Sequence, residues 1–229
     1  GKCYLSLDNM NFSANRGACM QLCRRSYEVT DKDTGLALEV DNEYIMSPKD
    51  LKTIDFLDKI LDAGVTVLKI EGRGRSPEYV KTVTRCYREA VEAYLDSSFT
   101  KEKIGDWNKQ LSTVYNRGFW DGYYLGQKMG EWSEQYGSQS TKKKVYVGKL
   151  SNYYTNIGVA EVVVEATDLA LGDDIYIIGP TTGVYQDTLT ELRVDEQNTE
   201  RARQGEVCSF PTQEFLRRSD KLYKIVDAV

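Results

Sequence analysis

Three cysteines near the amino end, Cys3, Cys19 and Cys23, fall at C-x15-C-x3-C, with Asn15-Arg16-Gly17 before the close pair and Arg24-Arg25 after it. Thiolate is a soft ligand, and a cysteine cluster without histidine suits an iron–sulfur centre or zinc better than a hard cation. Arginines beside it lower thiol pKa values and offset the negative charge of a thiolate-bound cluster. The competing reading is a pair of buried cysteines with an accidental neighbour. The chain contains no histidine, so every His-containing zinc site is excluded within it. A cluster takes four ligands, and Cys86, Cys208 or a residue preceding Gly1 would have to supply the fourth. Cys86 lies on the edge of an apolar helical stripe and Cys208 within a strand-like run, so both read as core.

A second constellation is Glu71-Gly72-Arg73-Gly74-Arg75, placed between a strand-like run and a helix start. Free amides at a helix start favour an anion, glycines let the backbone approach it, and Arg73 and Arg75 can grip carboxylate or phosphate bidentately. With Arg16 and Arg24 they form the candidate substrate- or anion-binding set. Lys69 and Glu71 alternate on the preceding run and are candidates for proton transfer. The aromatic run Tyr115 to Gly126 offers Arg117, Phe119, Trp120 and Tyr123 as RNA-stacking candidates. Its bland alternative is packing between two domains. Lys142 to Lys144 read as a solvated linker. Without histidine there is neither a Ser-His-Asp nor a Cys-His arrangement, and no H-E-x-x-H helix.

These residues need elements to position them. Residues 24 to 45 read as a hairpin whose turn is supplied by Asp33 and Gly35. Ser47-Pro48 signals a helix start with a good cap, and Leu51 to Leu61 continue at helical spacing. Val65 to Ile70 predict a short strand, and Ser76-Pro77 opens a helix with Tyr79, Val80, Val83, Tyr87, Ala90, Val91 and Tyr94 as its stripe. Helix, strand and helix at this spacing make an α/β unit. Residues 98–143 predict a polar connector with a short helical piece around Trp107 to Val114. From Lys144 the period changes to two, and regular short strands without helices predict a small closed antiparallel β-barrel over 144–229. The fold class is thus α+β and multidomain.

Thirty basic and thirty-five acidic side chains leave a net charge of −5. No chain-wide basic field exists to attract nucleic acid, DNA included, so an RNA contact would need a local patch. No apolar run approaches a membrane span, and five cysteines without a regular framework favour a reducing cytoplasm.

Several ordered motifs carry a resemblance: G-K-C-Y-L-S, N-R-G-A-C-M-Q-L-C-R with Tyr27, M-S-P-K-D-L over Met46 to Leu51, L-K-I-E-G-R over Leu68 to Arg73, then S-P-E-Y-V and Y-R-E-A-V. Together they resemble the collagenase-like peptidases, the thirty-second family of peptidases of unknown catalytic type, over roughly residues 1 to 126. The resemblance implies that Cys3, Cys19 and Cys23 are ligands of a 4Fe-4S cluster and that a cysteine upstream of this chain is the fourth. Some relatives carry a further cysteine where this chain has Lys52. It also implies that residues 1–97 close a TIM-like barrel begun upstream, and that the β-barrel is similar to the second domain of elongation factors. A partial barrel leaves edges uncovered, so the upstream half, or another copy by association or swapping, is an expected partner. Members resembling this chain hydroxylate wobble uridine in tRNA with a prephenate-derived co-substrate. The alternatives are the peptidase activity of the family's name and a non-catalytic RNA- or protein-binding module.

Overall fold

The computed structural model describes residues 4–13, 16, 19–38 and 46–228. The chain divides into two units, residues 1–75 with 84–140 and residues 76–83 with 141–229. The architecture is α+β, with one large antiparallel sheet.

The first unit opens on α1 (Tyr4–Met10), whose Ser6 Oγ accepts from the Met20 N–H at 2.7 Å. A 3-10 turn over Leu22–Arg24 buries Leu22. The predicted hairpin forms from β1 (Val29–Thr30) and β2 (Ala37–Leu38). Gly35 takes φ 71° as expected, but the organising carboxylate is Asp31, not Asp33. Asp31 Oδ1 accepts from the Thr34 N–H at 2.7 Å, the Thr34 hydroxyl at 2.9 Å and the Asp33 N–H at 2.9 Å, and these bonds hold its carboxyl below the ordinary range.

The helix predicted from Ser47-Pro48 does not form there. Pro48 bridges to Trp132, and β3 (Asp50–Leu51) runs parallel to β4 (Phe119–Trp120). The N–H groups of Lys49, Asp50 and Lys52 donate to the carbonyls of Glu131, Gly118 and Trp120, so partners far along the chain take the bonds a helix would use. Helix begins later, as a 3-10 turn over Ile54–Phe56 running into α2 (Leu57–Asp62). The predicted strand over Val65 to Ile70 is also absent: these residues pair with no strand among the described residues, and Val67 is 80% exposed. A strand exists only with a neighbour to complete its ladder.

The helix at Ser76-Pro77 is present as α3 (Pro77–Leu95). Thr82, Val83, Cys86, Ala90 and Ala93 are its buried residues, while Val80 faces out. The predicted short helical piece is longer, α4 (Lys101–Ser112), capped by Thr100 Oγ1 accepting from the Lys103 N–H. Trp107 Nε1 donates to Glu89 at 2.9 Å, and the Tyr87 hydroxyl accepts from the Thr53 N–H at 2.9 Å. With Ile54, Leu57, Trp107 and Leu111 buried, residues 53–57, the later turns of α3 and α4 share one core.

Among the described residues the second unit holds ten strands: β5 (Lys142–Tyr154), β6 (Val159–Val164), β7 (Leu169–Ala170), β8 (Asp174–Gly179), β9 (Gly183–Thr188), β10 (Arg193–Val194), β11 (Gln197–Asn198), β12 (Arg201–Ala202), β13 (Val207–Pro211) and β14 (Lys221–Asp227). Eight form one antiparallel sheet in the order β11-β10-β13-β6-β5-β14-β8-β9, and β7 pairs with β12. The ladder is therefore an open order rather than the predicted closed ring. Period-two alternation is visible in β6, where Ala160, Val162 and Val164 are buried and their neighbours are not. Those three join Val147, Leu150, Ile175, Ile177, Phe210, Leu216 and Leu222 in one core. Lys142 to Lys144 are not a linker but the first residues of β5. Lys142 pairs with Asp227 at 2.7 Å and Lys144 with Glu78 at 2.8 Å.

Candidate functional site

Two of the residues singled out by the sequence, Arg75 and Arg117, come together at Asp50. Its Oδ1 accepts from Arg75 Nη2 at 3.2 Å and from Arg117 Nη1 at 3.1 Å, while Oδ2 accepts from the Arg117 backbone N–H at 3.0 Å. Both guanidiniums lie over the Tyr115 ring, with Arg75 Cζ 4.3 Å and Arg117 Cζ 5.3 Å from its centroid. The side chains of Asp50, Arg75 and Arg117 are only 21%, 15% and 11% exposed. Asp50 is placed by β3 and Arg117 by the turn that leads into β4, so the parallel pairing that replaced the predicted helix builds this centre.

Arg24 extends it toward the cysteine turn. Its Nη1 donates to Ser47 Oγ and to the Pro48 carbonyl, each at 3.1 Å. Burial first, and then the Arg117 cation, press the Arg24 guanidinium below its ordinary value, while Cys23, Asp50 and Tyr115 act in the opposite sense. Arg24 thus sits within the electrostatic reach of Arg117 and Asp50 and follows Cys23 directly. The turn itself is pinned at three further points: Met20 to Ser6, the buried Leu22, and the Tyr27 hydroxyl donating to the Leu22 carbonyl at 2.6 Å.

Cys19 is an exposed free thiol and Cys23 a half-buried one, whereas Cys3 lies outside the described residues. Among the described residues no three or more Cys, Asp or Glu side chains converge as a metal site. In kind, two soft accessible donors beside a cationic centre fit a thiolate-held cluster. Cys86 and Cys208 do not offer a fourth ligand of that sort. Both are buried, and burial pushes the Cys86 thiol up to about 11 and the Cys208 thiol up to about 12. Lys52 pairs with Asp55 at 2.6 Å, donates to Asn108 Oδ1 and stands over the Phe119 ring.

The other sequence candidates separate. Arg16, Lys69, Glu71 and Arg73 are exposed. Glu71 Oε1 accepts from the Arg73 N–H at 2.8 Å, and that bond holds its carboxyl below the ordinary range, which makes it a turn-holding group and a weak base. Arg75 alone of the E-G-R-G-R residues reaches the centre. Of the RNA candidates, Arg117 is buried in the centre, Phe119 and Trp120 are half-buried in β4, and Tyr123 is 63% exposed with its ring edge-on to Trp120. Sequence reasoning missed Asp50 and Tyr115. The only local signal for Asp50 was an acidic residue in an otherwise basic and apolar M-S-P-K-D-L.

Residues 1–134 match the model of peptidase family U32. The chain belongs to that family. It is 58% identical over 224 residues to a protein named collagenase from Porphyromonas gingivalis, covering 98% of this chain and 54% of that one. It is 32% identical over 206 residues to tRNA hydroxylation protein P1 of Bacillus subtilis, covering 86% of this chain and 48% of that one. The chain thus spans about half the length of these curated U32 relatives. A solved C-terminal domain of a U32 peptidase from Geobacillus thermoleovorans aligns with 34% of this chain and 90% of its own length, at 17% identity and a TM-score of 0.33. No helix among the described residues is long and apolar enough to cross a membrane.

Proposed function

We propose that this U32 chain is part of an iron–sulfur enzyme that hydroxylates RNA, with tRNA wobble uridine as the substrate and a prephenate-derived compound as co-substrate. The observation that carries the proposal is that two free thiols, Cys19 and Cys23, lie on a turn that Arg24 ties to Ser47 and Pro48, just ahead of Asp50 and its arginine pair. Cys3, Cys19 and Cys23 would hold the cluster, with a fourth cysteine upstream. A bound cluster supplies one-electron chemistry at a soft, thiolate-held centre.

The chain's own residues do the rest. Arg24 orients the cysteine turn through Ser47 and Pro48. The arginines offset the negative charge of the thiolates. Upstream barrel strands would cover the exposed Val65 and Val67 and complete a TIM-like arrangement. The β-unit, whose likeness to an elongation-factor second domain belongs to the same proposal, would dock the RNA in the cytoplasm. The relative named for tRNA hydroxylation supports this reading.

The test is the iron and acid-labile sulfide content of the anaerobically purified full-length protein, beside its Cys19→Ser and Cys23→Ser variants. Stoichiometric iron that drops in both variants, with hydroxylated wobble uridine lost from tRNA when the gene is deleted, is the expected result. Protein free of iron and sulfide, or unchanged tRNA nucleosides, overturns it.

A peptidase is the second reading, favoured by the name of the 58% identical relative. Within this chain it lacks a histidine base, and the thiols of Cys86 and Cys208 are too basic to serve as nucleophiles. Gelatin cleavage that survives further purification and is lost with one named residue would establish it.

A further inference from the structure

A pocket in the β-unit shares no residue with the centre around Asp50. It has a volume of about 410 Å³ and lies between the segment after β6, the β7–β8 turn, β12 and β14, with Thr167, Asp168, Asp173, Arg201 and Lys224 in its wall. Lys224 is an unexpected occupant of its position. Val145 and Ile175 stand opposite it in the ladder, and paired residues of antiparallel strands share a face. Lys224 therefore lies on the side of the sheet where Ile175 and Leu222 are buried, a place where lysine is rare without a carboxylate partner. Among the described residues Lys224 Nζ has one bond, to the Asp168 carbonyl at 2.8 Å, which leaves two of its three N–H donors unused. Arg201 makes no side-chain hydrogen bond among the described residues, and its Nη1 stands 3.9 Å from Asp168 Oδ2 in an exposed, weak ion pair. Asp168 Oδ1 and Asp173 Oδ2 accept from the backbone N–H groups of Gln204 and Ala170, at 3.2 Å and 2.9 Å. Asp173 Oδ1 accepts nothing among the described residues.

Two cations and two carboxylates balance, so the pocket is no sink for a bare anion. It suits a ligand that carries an anionic group and a hydroxyl donor close together. Its volume falls within the range of small-molecule sites, about 300–1,000 Å³. Among the described residues that line it there is no aromatic ring, so nothing there stacks on a base. Building on the proposal that the β-unit docks RNA, we infer that this pocket binds a ribose phosphate unit, with Lys224 and Arg201 on the phosphate and Asp173 Oδ1 accepting from the 2′-hydroxyl. Phosphate contacts of this kind position a strand without reading its sequence, and the 2′-hydroxyl distinguishes RNA from DNA.

The experiment is calorimetric titration of the full-length protein with UMP, 2′-deoxy-UMP and ribose 5-phosphate, for wild type, Arg201→Gln, Lys224→Gln, Asp173→Asn and Arg193→Gln. Arg193 lies outside the pocket, paired with Glu191, and controls for the loss of one surface charge. Wild type should bind UMP and ribose 5-phosphate comparably and 2′-deoxy-UMP about tenfold more weakly, the effect of losing one hydrogen bond to a charged group. Arg201→Gln and Lys224→Gln should each weaken UMP about tenfold or more, while Arg193→Gln leaves it unchanged. In Asp173→Asn the amide oxygen stays on the Ala170 N–H and the NH2 group takes the place of Oδ1, so the acceptor is lost and the two nucleotides bind alike. Arg201 is exposed, so Arg201→Gln remains informative where Lys224→Gln fails to fold. Competition between UMP and an oligouridylate assigns the unit to a strand; UMP binding that the oligonucleotide leaves untouched assigns it to a free nucleotide. Absence of UMP binding in wild type, equal wild-type affinity for the two nucleotides, or a loss in Arg193→Gln as large as in Arg201→Gln overturns the proposal. The titration needs no iron, so protein that binds UMP but lacks a cluster, or leaves wobble uridine unchanged, keeps this site and loses the proposed reaction. Iron-loaded protein that ignores UMP does the reverse.

Discussion

Asp50 holds Arg117 twice, at Oδ2 by the backbone N–H and at Oδ1 by Nη1, at 3.0 Å and 3.1 Å. One carboxylate therefore fixes both the direction of the chain entering β4 and the side chain that leaves it. This makes Asp50 a structural keystone of the first unit. Asp50→Ala leaves the largely buried Arg117 without the carboxylate that both its backbone and its side chain reach, which costs about 3 kcal/mol. Arg88→Ala removes an ion pair whose side chains are 74% and 55% exposed, and changes stability by less than about 0.5 kcal/mol. Urea denaturation followed by tryptophan fluorescence checks both, since Trp107 and Trp120 lie in this unit. Equal losses in the two variants would contradict the assignment.

Two glycines should respond to alanine with opposite signs. A Cβ on Gly148 would lie 1.9 Å from the Val163 carbonyl oxygen, within the β5–β6 ladder. That backbone cannot give way cheaply, so Gly148→Ala destabilises by about 2 kcal/mol or more. Gly105 stands inside α4 with nothing within 4 Å of its Cβ position, so Gly105→Ala stabilises by about 0.5–1 kcal/mol through lower entropy of the unfolded chain. Thermal denaturation of each variant reads the sign directly.

The aromatic run divides by exposure. If the protein binds single-stranded RNA here, Tyr123 and Tyr124, each 63% exposed, are the rings able to stack a base, at about 1–3 kcal/mol per base. Tyr123→Ala should then weaken binding of a uridine oligonucleotide about tenfold while leaving the melting temperature unchanged. Phe119→Ala should do the reverse, because its ring underlies the Lys52 ammonium at 5.3 Å. Fluorescence anisotropy with a labelled oligonucleotide, beside a melting curve, distinguishes them.

What could be read from the sequence was what neighbours along the chain decide. Ser76-Pro77 gave α3 because a cap and an N1 proline act within one turn, and β6 alternated visibly because its two faces meet core and solvent. The helix expected at Ser47-Pro48 failed for the opposite reason: Glu131, Gly118 and Trp120 supply the carbonyls that residues 49, 50 and 52 bond, and nothing in residues 47–61 announces them. The candidate site shows the same division. Arg75 stood out in its local E-G-R-G-R setting, but its meaning comes from Asp50, 25 positions away, and from Arg117, 67 positions beyond Asp50. The cysteine spacing was plain at once, while Cys3 falls outside the described residues.

The five cysteines should separate by reactivity in protein purified free of iron. Cys19 is exposed and Cys23 half-buried, so iodoacetamide at pH 8 should label both within minutes, as peptide mass spectrometry will show. Cys86 and Cys208 should stay unlabelled until the protein unfolds, because burial excludes the reagent and holds the proton on sulfur, with pKa values of about 11 and 12. The same shifts fix the sign of an alkaline effect. Each native-state pKa is raised above the ordinary thiol value of 9.0, so the folded protein binds the proton more tightly than the unfolded chain. That stability is fully present below pH 9 and is lost as pH rises toward 12. Tyr146 and Tyr185, pushed up to about 12 chiefly by burial and then by Glu165 and Asp187, add a loss in the same direction above pH 10. Three of these four groups, Tyr146, Tyr185 and Cys208, lie in the β-unit, so alkaline unfolding monitored by circular dichroism should begin in the sheet. Prompt labelling of Cys208 at pH 8 in folded protein, or a sheet stable beyond pH 12, would refute the burial argument for this core.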